Sequence, residues 1–424
     1  MNDRLIINGK KPLVGEITLQ GAKNAVLPIM AACILADGVC SLLNCPDLSD
    51  VSVASDILKY LGCKVSFQNN IATIDSSSAD KYIIPSNLME KMCSSVMFLG
   101  AVVSRFGKAV ITYPGGCDLG ARPIDIHIKA LRKLGVEIEE AQNVIFCFCD
   151  KIKPGKIVLD FPSVGATENV MLASCVSDGI TVIENAAKEP EIVDLQNFIN
   201  TIGGKISGAG TSKIVIEGVK RLRGCCYTVM TDRIACATYL TATALCGGEI
   251  VISGGSREHI NTVCDVLEYS GCSIKNYADG KLLLRSSGVL KAKALIETSV
   301  YPGFPTDAQP AITVCMCCSK GKSLIRENIF SDRFRYCRQL RKMGADINVV
   351  GTGAFINGVE TLFGANVEAE ELRGGAALVL AGLKAEGVTT ITNVNFIDRG
   401  YEKIENVFKS LGADIRRETD ERQH

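Results

Sequence analysis

Residues 114–123 read PGGCDLGARP, which sets Cys117 five residues ahead of Arg122 in a stretch that also holds Gly115, Gly116 and Gly120. Most of the nineteen cysteines are expected to be small buried hydrophobes, and Cys147, Cys149, Cys315, Cys317 and Cys318 stand in apolar runs that suit that role. Cys117 stands between Gly116 and Asp118, in a segment too glycine-rich to build a core. A thiol with a cation close by loses its proton more readily than an ordinary one of pKa about 8.5, and then serves as proton donor or nucleophile near neutral pH.

A second set of residues points to anion chemistry. Lys23, Asn24, Arg233, Asp307 and Arg373 stand at or just before the starts of apolar helical segments, and Arg122, Arg333 and Arg399 stand on loops leading into amphipathic ones. A helix N-terminus already favours an anion by roughly 0.3 to 1 kcal/mol. A single arginine there could equally pair with a nearby acid. Five or more cations at corresponding positions call for an anionic small molecule, held between two domains.

The elements that must position these residues repeat. LKYLGCKV, LRKLGVEI, FINTIGGKI, VLEYSGCSI, LRKMGADI and FKSLGADI each end a helix at a glycine and start a strand, at Gly62, Gly135, Gly203, Gly271, Gly344 and Gly412. The spacings are 73, 68, 68, 73 and 68 residues, so the first three recur as the last three at a constant offset of 209. Repeats of this length predict two domains of three units each. Within a unit an apolar helix, a short strand, a second helix and two further strands follow in order. The apolar helices begin at AKNAVLP, CSSVMFL, GATENVM, DRIACAT, TDAQPAI and RGGAALV, and are hydrophobic all round, hence buried.

At 424 residues the chain exceeds one ordinary core. Its 46 basic and 46 acidic residues exclude nucleic-acid binding by bulk charge. Neither an export signal nor a membrane span is apparent, so the expected location is the cytoplasm, with reduced thiols. Three histidines and cysteines without paired spacing predict no metal site.

The segments LQGAKNAVLP, YPGGCDLGARPIDIHI, FPSVGATENV, NAAKEPEIVDL, FPTDAQ, SDRF and FIDRGYEKI resemble the enolpyruvyltransferase family over essentially the whole length, and within it the UDP-N-acetylglucosamine enolpyruvyltransferases. The sister enzymes that make enolpyruvylshikimate phosphate share the six-unit fold and lack the cysteine loop. The resemblance implies a two-domain inside-out α/β barrel of six inverted βαβαββ repeats. The domains would be 22–230, with the cysteine loop, and 1–21 with 231–424, the active site lying between them. It implies transfer of enolpyruvate from phosphoenolpyruvate to the 3-hydroxyl of UDP-N-acetylglucosamine, the first committed step of peptidoglycan precursor synthesis, with no cofactor, metal, nucleic acid, membrane or obligate protein partner.

The same resemblance gives Lys23, Arg122 and Arg399 to the phosphate and carboxylate of phosphoenolpyruvate, Asn24 to the region of the reacting hydroxyl, and Asp307 to its deprotonation. Arg122, Pro123, Ile124, Asp125 and Ile126, then Ser163, Val164 and Gly165, and Ile329 would line the nucleotide sugar, with Arg333 and Arg373 in the substrate cluster. Cys117 would add covalently to phosphoenolpyruvate and aid product release on a loop that closes and reopens. His127 reads as a structural hydrogen-bonder. Two positions depart from the family pattern: Cys93 replaces an arginine expected to support the sugar, and Glu371 replaces an aspartate. They leave open a different acceptor alcohol, or a weakly active nucleotide-sugar-binding regulator.

Overall fold

The computed structural model describes residues 3–113, 115 and 124–419, with Cys93 described by its backbone. Cys117, Arg122 and Pro123 lie outside the described residues. All six repeat glycines have left-handed φ, from +82° at Gly135 to +110° at Gly271, a conformation that costs a side-chain-bearing residue energy. The reason is a shared helix ending. In every unit the residue after the glycine donates its N–H to the carbonyl five residues back, from Cys63 to Leu58, Val136 to Leu131, Gly204 to Ile199, Cys272 to Leu267, Ala345 to Leu340 and Ala413 to Phe408, at 2.8–3.1 Å. This closes the helix and turns the chain directly into a strand.

Two compact units result, dividing at Gln20/Gly21 and Met230/Thr231. Among the described residues each contains three sheets of one design, two parallel strands and then two antiparallel ones, and the unit of residues 21–230 adds a two-stranded pair of Ala36–Asp37 with Leu222–Arg223. In the unit that holds residues 21–113 and 124–230, Cys226–Thr228 runs parallel to Val39–Leu43, which pairs antiparallel with Ile71–Asp75 and that with Lys64–Gln68. The sheet of Lys108–Thr112 has three strands, and its parallel fourth place is filled by the bridge from Ile83 to Val110. In the other unit the beginning of the chain completes two sheets. Asp3–Asn8 lies between Val388–Thr392 and Asp414–Thr419, and Leu13–Thr18 runs parallel to Gly248–Ser253.

The apolar helices form the two cores. Lys23–Cys33, Phe98–Phe106 and Val164–Ser174 share one, and Arg233–Cys246, Gln309–Cys317 and Leu372–Lys384 share the other. Arg233–Cys246 is buried over every residue but the last, and its Thr238, Thr241 and Thr243 donate their hydroxyls to carbonyls four residues back. Polar groups inside the core are thereby bonded without water. Each fully buried aliphatic side chain contributes about 1.5–3 kcal/mol by its removal from water. Cores of this kind hold the helix starts rigidly, and Lys23, Asn24, Ser163, Val164, Gly165, Glu371 and Arg373 sit at those starts. No helix among the described residues is long and apolar enough to cross a membrane.

Candidate functional site

In the unit of residues 21–230, Lys23 opens its helix and is buried. Its Nζ lies 2.7 Å from Oδ2 of Asp50, a carboxylate in the first turn of Ser49–Tyr60 that is also buried. Asn24 follows, half-buried. Ile124 and the start of Asp125–Lys133 meet the start of Val164–Ser174 through His127 and Asn169. The Asn169 amide is fixed in orientation, since Oδ1 accepts from Gly100 N at 2.6 Å and Nδ2 donates to Val96 O at 3.1 Å. Nδ2 also lies 2.8 Å from His127 Nδ1. His127 Nδ1 is therefore the acceptor, and the neutral ring carries its proton on Nε2. Burial pushes the imidazole down to about 4, against a weaker upward pull from Asp125. This matches the structural reading of His127.

Gly165 is required by that ring. A Cβ there would meet His127 Cε1 at 2.8 Å. Ser163 caps the same helix, accepting from Ala166 N at 3.3 Å, and its carbonyl accepts from the Thr167 hydroxyl at 2.8 Å. Two of the segments assigned to the sugar, Ile124 to Ile126 and Ser163 to Gly165, are thus brought together around one asparagine. That asparagine also holds the turn Cys93–Met97 through Val96. Asp125 is exposed, 3.6 Å from Lys129, and Ile126 and Val164 are half-buried. Burial, reinforced by Glu191 and Glu189, pushes the neighbouring Glu168 carboxyl well above the usual carboxylate range.

The other unit gathers Asp307, Arg333, Glu371 and Arg373. Asp307 Oδ1 accepts from Arg333 Nη2 at 2.9 Å, and Oδ2 accepts from Arg373 Nη2 at 3.2 Å and Nε at 3.3 Å. Both arginines are almost fully buried, and Asp307 is partly exposed. Arg333 Nη2 donates to Thr306 O as well, at 3.2 Å, and its Nη1 lies 3.8 Å from Glu371. Glu371 caps Leu372–Lys384 by accepting from Arg373 N at 2.8 Å and from Gly374 N. The Tyr401 ring lies 5.4 Å from Arg373 Cζ. Ile329 is joined to this group through the buried Glu327, which accepts from the Ile329 amide at 2.9 Å.

Arg399 ends the turn Val394–Arg399, half-buried, and its neighbours are secured on both sides. Asp398 accepts two bonds from Arg417, at 2.6 and 2.9 Å. Gln20 donates to Gly400 O at 3.1 Å and accepts from Glu402 N at 2.8 Å.

Both sequence readings of these cations, pairing with a nearby acid and service to an anionic ligand, bear on what the fold shows: Lys23 pairs with Asp50, Arg373 with Asp307, and Arg333 with Asp307 and, at 3.8 Å, Glu371. A buried charge without a partner costs several kcal/mol, so the fold supplies carboxylates. Sequence reasoning missed Asp50, Asn169, Glu168, Glu327, Gln20 and Arg417. Glu168 and Asn169 carried a signal, being polar residues inside an otherwise apolar helix.

A model of the EPSP synthase family, 3-phosphoshikimate 1-carboxyvinyltransferase, matches residues 7–408. The chain is 50% identical over 409 residues to UDP-N-acetylglucosamine 1-carboxyvinyltransferase 2 of Caldanaerobacter subterraneus subsp. tengcongensis, covering 96% of this chain and 98% of that one. It is 45% identical over 417 residues to the protein of the same name from Clostridium acetobutylicum, covering 98% and 99%. Among solved structures it resembles the enolpyruvyl transferase NikO from Streptomyces tendae, with a TM-score of 0.87 at 24% identity over 98% of this chain and 99% of that one. At that identity the likeness is one of fold.

Proposed function

We propose that this chain, which belongs to the EPSP synthase family, transfers the enolpyruvyl group of phosphoenolpyruvate to the 3-hydroxyl of UDP-N-acetylglucosamine and releases phosphate. This is the first committed step of peptidoglycan precursor synthesis, and it would run in the cytoplasm on two free small molecules. The observation that carries the reading is the near full-length likeness to relatives named for this activity.

The chemistry asks for three things. C3 of phosphoenolpyruvate takes a proton, the sugar hydroxyl adds to C2 as its own proton leaves, and the C2–O bond to phosphate then breaks while C3 returns a proton. Asp307 suits the second demand. Its carboxylate is oriented from both sides by guanidiniums and is still partly exposed, which suits a base for an incoming hydroxyl. We assign Lys23, Arg122 and Arg399 to the anionic groups of phosphoenolpyruvate, where charge-assisted bonds are strongest. Asn24 faces the reacting hydroxyl in this assignment. Ile124 to Ile126, Ser163 to Gly165 and Ile329 line the sugar, and Cys117 donates the proton to C3.

Glu371 favours an active enzyme over a weakened relative. Its carboxylate caps the helix through the Arg373 and Gly374 amides and approaches Arg333, so the acid at this position is built into the local bonding. Phosphate release with both substrates tests the proposal. We expect release that requires UDP-N-acetylglucosamine; binding of the nucleotide sugar without turnover, or release only with another alcohol, would refute it.

A further inference from the structure

Glu327 is 1% exposed, yet no step of the proposed reaction uses it. It follows the strand Lys322–Arg326, and its backbone N–H is fixed by Thr352 O at 2.8 Å. Four donors converge on its carboxylate. Oε1 accepts from the Thr298 hydroxyl at 2.9 Å, the Ile329 amide at 2.9 Å and the Phe330 amide at 3.1 Å, and Oε2 accepts from the Thr306 hydroxyl at 3.0 Å. An ionised carboxylate is an acceptor with room for all four.

The donors come from three stretches of chain, and two of those carry residues assigned above. Thr306 immediately precedes Asp307, and its carbonyl accepts from Arg333, the same guanidinium that orients Asp307. Thr306 is therefore pinned at its side chain by Glu327 and at its carbonyl by Arg333. Ile329 and Phe330 turn around Oε1. Thr298 anchors the assembly, since its hydroxyl accepts from Asn328 N at 2.9 Å while donating to Glu327, and its carbonyl accepts from the Asn328 amide at 2.9 Å.

We infer that Glu327 is a positioning residue that sets the base Asp307 and the sugar-lining Ile329 at a fixed separation through one carboxylate. The inference rests on the proposed function. Oε2 governs the Asp307 branch and Oε1 the Ile329 branch, so the two should come apart in kinetics. Displacement of reacting groups by about an ångström costs on the order of a hundredfold in rate.

The experiment measures kcat, KM for each substrate and melting temperature for Glu327→Ala, Glu327→Gln and Thr306→Val beside the wild type. Glu327→Ala should lower kcat about a hundredfold and also raise KM for UDP-N-acetylglucosamine. Thr306→Val, which cuts only the Oε2 branch, should lower kcat and leave the KM for the nucleotide sugar unchanged. Glu327→Gln should retain most activity, because its carbonyl oxygen, with two lone pairs, keeps the Ile329 and Phe330 amides while its NH2 donates to the rotated Thr306 hydroxyl. Should the alanine variant fail to fold, the other two decide. An active wild type with Thr306→Val kinetically unchanged, or with Glu327→Gln as impaired as a folded Glu327→Ala, overturns this inference alone. A wild type that releases no phosphate overturns the function on which it rests, and both fall.

Discussion

The neutral, buried His127 makes the unit that carries it acid-sensitive, and the size of the effect can be worked out. In the unfolded chain the imidazole titrates near its ordinary value of about 6.5. In the fold burial holds it at about 4. The sign follows from which state takes the proton. Above the unfolded value both states are neutral and the stability is fully present; below it the unfolded chain protonates first, so stability falls as pH drops towards the folded value. At about 1.36 kcal/mol per unit, the whole shift corresponds to about 3 kcal/mol, of which about 2 kcal/mol is lost between about pH 7.5 and about pH 5.

Geometry explains why the ring cannot escape by accepting the proton. Nδ1 faces the Asn169 amide at 2.8 Å, and that amide cannot turn over without breaking its bonds to Gly100 N and Val96 O. The perturbation is His127→Asn, whose side-chain oxygen can replace Nδ1 as acceptor without titrating. Urea unfolding at the two pH values measures the loss in each protein. Buried acids such as Glu168 and Asp194, raised by burial, titrate with the opposite sign but are common to both proteins and cancel in the difference. The wild type should lose about 2 kcal/mol more than the variant on acidification. Equal losses would refute the argument.

Gly165→Ala should cost about 1–3 kcal/mol of stability, by the usual penalty of overpacking, and raise KM for the nucleotide sugar, because the new methyl meets a His127 ring that cannot back away; unchanged melting and KM would show that the helix start can shift. Brief labelling with the epoxide fosfomycin, followed by peptide mapping, should modify Cys117, which lies outside the described residues. Burial pushes the Cys147 and Cys175 thiols up to about 12 and Cys264 to about 11. Cys226 is exposed and is the rival, so an adduct on Cys226 or Cys93 with Cys117 unmodified would overturn the assignment.

What was legible in the sequence was what local physics dictates. A left-handed helix ending needs glycine whatever surrounds it, so six such endings stood out and all six have the expected φ. Helices with no polar stripe had to be interior, and they are. The pairing of Asp3–Asn8 with strands near residues 390 and 416 could not be seen that way, because no short-range pattern encodes a partner almost 400 residues distant. Nor could the partner of Lys23, since Asp50 reads as an ordinary acid in a first helical turn until the fold brings it to 2.7 Å.

That missing information changes the division of labour among the cations. From sequence, Lys23, Arg333, Arg373 and Arg399 were one class of anion-binding residue. In the structure Arg333 and Arg373 hold Asp307 between them, and Arg333 reaches on to Thr306 and towards Glu371. Their first task is to orient a carboxylate. Lys23 differs from both, because an ammonium carries three donors without a fixed fork, and it is paired with the buried Asp50. The planar guanidinium fork suits a base that must not move, and the ammonium suits a substrate whose charge shifts from ester to departing phosphate. In the proposed reaction the sugar hydroxyl would give its proton to Asp307, a carboxylate held within one unit by Arg333 and Arg373.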